Sequence, residues 1–331
     1  MNVLSPPTLA QALRRAAVRA TLAPSVYNTQ PWRFELTGDA LRLYADPGRM
    51  LGVLDPAGRQ MVMSCGCALF NARAALTAAG YRPAIERYEG DPRSSLLAQV
   101  TVDLDAGSAD QPDIGELDAA IEDRHTNRRP FDLDTVPEQV VDVLMAAATA
   151  EGADLMPVTR MEDRLALTIL HQQVDTRQNS DPAYRAELQA WTRDGASRAD
   201  GVAAVSVPRQ DPDVRDDLPI RAFDTSRSGA LPAETESSRN QCLLLLGTEQ
   251  DDPADWLRAG EALERVLLEL TAAGYVASPL TQAIEEPHTR EVLRQELCPT
   301  MHPHMVLRVG HAASTPATRR RRLVDVLTGS A

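Results

Sequence analysis

The sequence predicts an α+β chain built from two related halves, and three observations carry that expectation. Segments with helical periodicity alternate with short strand-like runs along most of the 331 residues. The hexapeptide Leu76-Thr77-Ala78-Ala79-Gly80-Tyr81 recurs verbatim as Leu270-Thr271-Ala272-Ala273-Gly274-Tyr275, a step of 194 residues from Leu76 to Leu270, and each copy closes a long helix before a strand. A polar stretch over 179–240, rich in Asp, Arg, Ser and Pro, interrupts the second half as an insertion or lid. The halves are drawn at 1–112 and 113–331, packed as a pseudo-dimer within one chain.

The elements follow in order. Residues 8–23 carry apolar side chains at helical spacing and stop at Pro24, which cannot continue a helix. Pro24 to Pro31 reads as a loop into an alternating strand, Trp32 to Leu36. After Gly38-Asp39 a second strand, Leu41 to Ala45, suggests a hairpin. Residues 57–80 predict a long helix rich in small residues, among them Cys65, Gly66 and Ala68, which permit close packing until Gly80 stops it. Val100 to Leu104 reads as a strand and 106–115 as an Asp/Gly/Ser linker. Helices are expected at 115–123, about 137–150 and 162–178. Gln241 to Gly247 predicts a buried strand, 253–274 a helix behind a cap at Asp251-Asp252, and 305–310 a last strand. A short C-terminal helix is expected after the Arg319 to Arg322 run.

Composition excludes several chemistries. All 34 basic residues are arginine. Without lysine there is no Schiff base, no P-loop lysine and no kinase lysine, so a bound phosphate must be held by arginine forks, hydroxyls and backbone N–H groups. A net charge of −13 opposes nucleic acid and anionic membrane as partners. No apolar run, Leu243 to Leu246 after Cys242 among them, approaches a bilayer span, and the first twenty residues lack the apolar core of a signal peptide. Four cysteines make no disulfide framework. A cytoplasmic location is the expectation.

Two segments in different halves carry the chemistry. Ser25, Asn28 and Gln30 offer a hydroxyl and two amides on a loop stiffened by Pro24 and Pro31, suited to a planar heterocycle or a polyol. Arg124, Thr126 and Arg128 alternate on one side of an extended segment, two forks and a hydroxyl at a spacing suited to phosphate. Either segment alone also reads as ordinary turn chemistry with surface arginines. Together, Pro24-Ser25-Val26-Tyr27-Asn28-Thr29-Gln30-Pro31-Trp32 and Arg124-His125-Thr126-Asn127-Arg128 resemble the FMN-dependent nitroreductases, especially the Acg-type actinobacterial branch in which two nitroreductase-like halves are fused. The resemblance covers nearly the whole chain and is poorest over 179–240.

That resemblance implies a nitroreductase-like α+β fold with FMN between the halves. It places Arg124, Thr126 and Arg128 on the ribityl chain and phosphate, with Ser25 and Asn28 reaching the flavin from the other half. It puts the segment Ser278-Pro279-Leu280-Thr281-Gln282 beside the ring, and Arg320 and Arg322 on the phosphate, where a solvated tail is the alternative. The first half lacks the basic segment, and the second reads Glu151 to Leu155 where its loop should be. One FMN per chain is therefore expected, with the mirror-related site dead and a monomer sufficient. The implied activity is ping-pong electron transfer from NAD(P)H (NADH or NADPH) to nitroaromatic or quinone-type acceptors, with no catalytic acid, base or nucleophile. A lid that shuts out nicotinamide would instead make the protein a non-catalytic store of FMN. Trp191 and Tyr184 are placed in the lid over the ring, Cys65 and Cys67 in the core, and His302 with His304 is not taken as a metal site.

Overall fold

Thr8 opens the first helix, α1 (Leu9–Ala20), through a capping box: its hydroxyl accepts from the Gln11 amide N–H, while the Gln11 side chain accepts from the Thr8 N–H. Alanines at 12, 16, 17 and 20, with Leu13, give that helix a thin buried stripe. The computed structural model describes residues 7–88, 95–102, 114–193, 198–210, 216, 218–233 and 241–330. Most of the linker expected at 106–115 lies outside them.

The hairpin β1 (Trp32–Thr37) and β2 (Ala40–Ala45) turns at Gly38, whose positive φ of 59° suits glycine. The central helix α2 (Arg59–Ala78) follows, then β3 (Pro83–Arg87) and β4 (Leu96–Val102). A 3-10 helix at Ile114–Ile121 replaces the α-helix expected there. Next come α3 (Glu138–Thr149), β5 (Asp154–Pro157), α4 (Met161–Ser180), α5 (Pro182–Ala190) and the short pair β6 (Thr192–Arg193) and β7 (Val202–Ala203). The start of the expected insertion is thus helical, α5 being opened by the Asp181 carboxylate on the Ala183 N–H and by Pro182 at its first position. The chain closes with β8 (Cys242–Thr248), α6 (Pro253–Ala272), β9 (Val276–Leu280), α7 (Gln282–Glu285), α8 (Pro287–Leu297), β10 (His302–Gly310) and β11 (Leu327–Ser330).

Two sheets flank the helices. The first has the order β11-β1-β2-β4-β3, and the second, β5-β8-β10-β9, is antiparallel throughout. The expected C-terminal helix is instead a single 3-10 turn, Leu323–Asp325, followed by β11, which runs parallel to β1 with Leu327 opposite Phe34. Four residues cannot sustain a helix, and the free edge of β1 offers them a full ladder. The last strand of the chain therefore completes the sheet that the first strands begin.

One apolar core joins the sheets. It runs from Trp32, Phe34 and Leu43 through α1, α2 and α6 to Leu244, Leu246, Leu307 and Val309. Helices α2 and α6 have equal length, and both their ends stand 194 residues apart. They cross at Gly66 and Gly260, the same interval. A Cβ on Gly66 would lie 2.2 Å from the Leu257 carbonyl oxygen, and one on Gly260 would lie 2.1 Å from that of Met63. Leu257 and Met63 again differ by 194, so the contact is reciprocal. Both helices also end alike, with Gly80 and Gly274 at φ 83° and 81°, and with Tyr81 and Tyr275 donating their N–H groups back to Leu76 and Leu270. By length and composition α2 is apolar enough to cross a bilayer, although no single apolar run in it is long, and 78% of its most apolar stretch is buried inside the protein.

Candidate functional site

The loop at 24–31 is held in an unusual shape. Tyr27, Asn28 and Gln30 all have left-handed backbone, with φ of 49°, 53° and 51°. For side chains other than glycine this costs on the order of 1 kcal/mol each and is tolerated where surroundings over-determine it. Those surroundings are visible. The Gln30 N–H donates to Ser25 Oγ at 2.9 Å, and the Gln30 side chain donates to the Ala199 carbonyl while accepting from the Arg321 N–H at 2.7 Å. Asn28 Nδ2 donates to the carbonyls of Gly201 and Arg319, and the Val26 N–H donates to Ser64 Oγ on α2. The loop is clamped by α2, the insertion and the C-terminal segment together.

The basic segment is extended because it borrows a sheet edge. Thr126 forms a parallel bridge with Ala277 of β9, and the Asn127 N–H donates to the Ala277 carbonyl at 2.9 Å. Alternation then turns Arg124, Thr126 and Arg128 to one side. Asn127 faces away, donating to the Ala313 carbonyl.

Loop and segment meet in one cleft between α2, α6 and the second sheet. Its polar end is lined by Ser25, Asn28, Arg124, Thr126, Arg128 and Arg320, with His125 and Ser206. Arg320 anchors itself on the carbonyls of Leu22 and Ala23. Burial, then repulsion from Arg124, pushes its guanidinium down to about 9, so it is charged at neutral pH. Burial, then Arg221, pushes Arg128 down to about 10, and its guanidinium lies 4.8 Å over the Phe223 ring. The wider end is mainly apolar, with Met63, Cys67, Leu263, Leu267, Met305 and Leu307 as walls and Gln60, Ser64, Pro279 and Thr281 at the margin.

The insertion covers that wider end with Ile220, Arg221 and Phe223. Arg221 is buried. It donates to the Tyr27 hydroxyl at 2.8 Å and to Thr281 Oγ1 at 3.0 Å, and also to the Tyr184 hydroxyl and the Glu285 carboxylate. Burial alone would raise the Glu285 carboxyl, but Arg221 beside it outweighs this and holds it below the usual carboxylate range. The pair ties the insertion to α7.

Three expected site residues stand elsewhere. Gln30 is fully buried in the loop's own hydrogen bonds and lines no part of the cleft. Leu280 points to the opposite face of β9, into the core with Leu243, Leu245 and Val306, because strand neighbours alternate faces. Arg322 is exposed and paired with Asp325 at 3.0 Å. Tyr184 and Trp191 do not cover the cleft either: Tyr184 supports Tyr27, and Trp191 lies beneath Arg49 and Arg198. Segment 278–280 is strand rather than loop. Cys65 and Cys67 are buried in α2, and Cys67 also lines the cleft. Among the described residues no three His, Cys, Asp or Glu side chains are grouped for a metal; His304 bonds Thr248 and Arg290.

The lining also includes residues that sequence reasoning missed. Gln60, Met63, Ser64 and Cys67 follow the i, i+3, i+4, i+7 spacing of one helix face, a signal that was available. Ile220, Arg221 and Phe223 sit in irregular chain and Ser206 ends a single 3-10 turn, with no local signal for the site. At the 194-residue step, the counterparts of Cys67, Leu267 and Thr281 are Glu261, Arg73 and Arg87. These are bonded to one another: Arg73 to Glu261 at 2.7 Å and Arg87 to Glu261 at 2.8 Å, with Glu151 and Arg265 completing the cluster.

Fold and site define an α+β protein with one composite cleft, basic at one end and apolar at the other. No family model matches the chain. Relatives in Mycobacterium tuberculosis (strain ATCC 25618 / H37Rv) include two that bear the name "Putative NAD(P)H nitroreductase". Rv3131 is 35% identical over 327 residues, covering 96% of this chain and 91% of the relative. The acg protein is 30% identical over 331 residues, covering 95% and 94%. The chain belongs to the nitroreductase family of these proteins. Similar solved structures include the FMN-dependent nitroreductase NfnB from Mycobacterium smegmatis in complex with NADPH, at 17% identity and a TM-score of 0.38 over 64% of this chain and 97% of that one. A nitroreductase with bound FMN from Bacteroides fragilis gives 13% and 0.38 over 62% and 94%.

Proposed function

We propose that the cleft holds FMN and that the chain is an FMN-dependent oxidoreductase carrying electrons from NAD(P)H to a nitroaromatic or quinone-type acceptor. One observation carries the cofactor. Asn28 Oδ1, Arg124 Nε and Ser206 Oγ are buried at the polar end with no hydrogen-bond partner among the described residues. Each such atom costs roughly 1–3 kcal/mol when left unsatisfied, and three around one arginine-lined recess fit a ligand that brings hydroxyls and a phosphate. The apolar walls beyond suit a planar ring system. The names of the mycobacterial relatives support NAD(P)H as reductant.

In this reading Arg124, Arg128 and Arg320 hold the phosphate with Thr126, Ser25 and Asn28 on the ribityl chain, and Pro279 and Thr281 border the ring. Bound there, FMN supplies hydride and electron transfer, in ping-pong order between nucleotide and acceptor. The chain's own part is to bind, orient and exclude water. Ser64 accepts from the Val26 N–H and donates to the Gln60 carbonyl, fixing the loop against α2. Phe223 and Ile220 dry the apolar end. No side chain is assigned as acid, base or nucleophile.

We read the chain as two fused halves, 1–112 and 113–331, related by a pseudo-twofold axis through the α2–α6 crossing. The 194-residue correspondence supports this, and the buried cluster of Arg73, Arg87, Glu151, Glu261 and Arg265 stands where a second cleft would open. One FMN per chain follows, and one chain suffices.

A second reading, storage of FMN without turnover, is favoured by the Arg221–Glu285 tie that holds the insertion across the apolar end. The purified protein should be yellow or become so with FMN, and anaerobic NADPH or NADH should bleach it. A yellow complex bleached by neither nucleotide favours storage; a protein that takes up no FMN overturns both readings.

A further inference from the structure

Beneath the polar end of the cleft, α6 carries a buried carboxylate that is poorly paired. Glu264 is 0% exposed, and among the described residues neither of its oxygens meets a partner in good hydrogen-bond geometry. Arg124 Nε, itself without a partner, stands 3.6 Å from Oε1. The other groups that face the carboxylate are Arg320 from the C-terminal segment, and Cys67 and Asn71 from α2. Burial pushes the Cys67 thiol well above its usual range, so it is neutral. On α6 itself, Glu261 and Arg265 turn to partners elsewhere.

Buried cations need an anion, and Glu264 is the carboxylate that Arg124 and Arg320 share. It serves them poorly. At 3.6 Å it falls short of the roughly 2.8 Å of a charge-assisted hydrogen bond, and the forks spend their N–H groups on the carbonyls of Leu22 and Ala23 while lining the cleft.

We infer that Glu264 is a resident counter-anion for Arg124 and Arg320, that an entering phosphate group takes over this role, and that the carboxylate then accepts a proton from solvent. The inference rests on the FMN reading, which supplies the phosphate. No bond in the ligand changes; the carboxylate becomes a carboxylic acid, and the phosphate becomes the partner of both forks. A second anion beside Arg124 must raise the proton affinity of the first.

The pH window follows. Burial has already raised the Glu264 carboxyl to about 7, against the opposing pull of Arg124, Asn71 and Arg320. Phosphate raises it further. Binding is therefore strongest below about 7, where the carboxyl is already protonated, and weakens as pH climbs toward the bound-state value. Above 7 the phosphate of FMN is already dianionic and contributes no slope of its own.

The test measures FMN affinity of the full chain between about pH 7 and pH 8.5, where a raised carboxyl of this kind gives a fall of up to about tenfold. Glu264→Gln, which mimics the protonated acid, should bind FMN several-fold tighter at the alkaline end and fall much less steeply than the parent, its residual slope coming from Arg320, which burial brings down to about 9. His125→Gln, altering the histidine that lines that end, should keep the parent's slope. Riboflavin, lacking phosphate, should show no slope with parent or variant. Calorimetry of the parent in two buffers of different ionisation heat should show net proton uptake on binding FMN, a reading that needs no variant. An unchanged slope in Glu264→Gln, or no proton uptake by the parent, overturns the counter-anion role and leaves the FMN reading standing. Failure of the parent to bind FMN removes both.

Discussion

Gly260→Ala should destabilise the chain by about 3 kcal/mol or more, because the added methyl would lie 2.1 Å from the Met63 carbonyl oxygen and 2.9 Å from the Gly66 Cα. Those neighbours are backbone, not the ends of flexible side chains. Relief requires the two central helices to separate along their whole crossing. Gly66→Ala should behave alike, since its methyl meets the Leu257 carbonyl oxygen at 2.2 Å. Gly52→Ala is the control: it has open space around it and should change stability by less than about 0.5 kcal/mol. Denaturant unfolding of the three variants decides the matter, and a Gly260→Ala protein as stable as the Gly52→Ala protein would refute the close crossing. Cys67 and Leu263, one on each helix, are cleft walls, so FMN binding should weaken along with stability.

The second large effect belongs to Arg124. Replacing it alone leaves the buried Glu264 carboxyl with only the Arg320 cation, which mixes a folding defect with a binding defect. Arg124→Ala is therefore best made in the Glu264→Gln background and compared with that single variant. FMN should then bind about a hundredfold more weakly, the equivalent of about 2.7 kcal/mol and within the usual worth of hydrogen bonds to a charged group. Arg322→Ala should leave FMN affinity unchanged, its side chain being exposed and paired with Asp325. Equilibrium titration of FMN fluorescence measures all three. A double variant that binds FMN as tightly as Glu264→Gln would remove Arg124 from the phosphate end.

Legibility in the sequence differed by kind of feature. Helices α1, α2, α3 and α6, the hairpin β1–β2 and strands β8 and β10 were readable from periodicity and from Gly, Pro and Asp punctuation, because local spacing and caps suffice to specify such elements. The strand β11 was not. It exists because the edge of β1, nearly three hundred residues earlier, is open to it. The same division runs through the cleft. Ser25, Asn28, Arg124, Thr126 and Arg128 stand in compact segments whose residue types announce polar recognition. Arg221 and Phe223 occupy irregular chain that reaches the cleft through the ties of Arg221 to Tyr27, Thr281 and Glu285, and Ser206 ends a single 3-10 turn. Within the arginine run of 319–322, nothing local separates Arg320 from Arg322. Anchoring on Leu22 and Ala23 carbonyls turns the first inward, while Asp325 keeps the second in solvent.

Composition and pattern alone established an α+β chain, an internal 194-residue correspondence, and the requirement that any phosphate site rely on arginine because lysine is absent. Those are properties of residue type and short-range spacing. Which arginines line the cleft, and which carboxylate lies behind them, depended on packing. Glu264 reads in the sequence as one more charge on a helix, and becomes a buried partner of Arg124 and Arg320 because two glycines let α2 and α6 approach to backbone contact. Contacts between residues far apart in the chain are set by how faces interlock, and no local pattern encodes that.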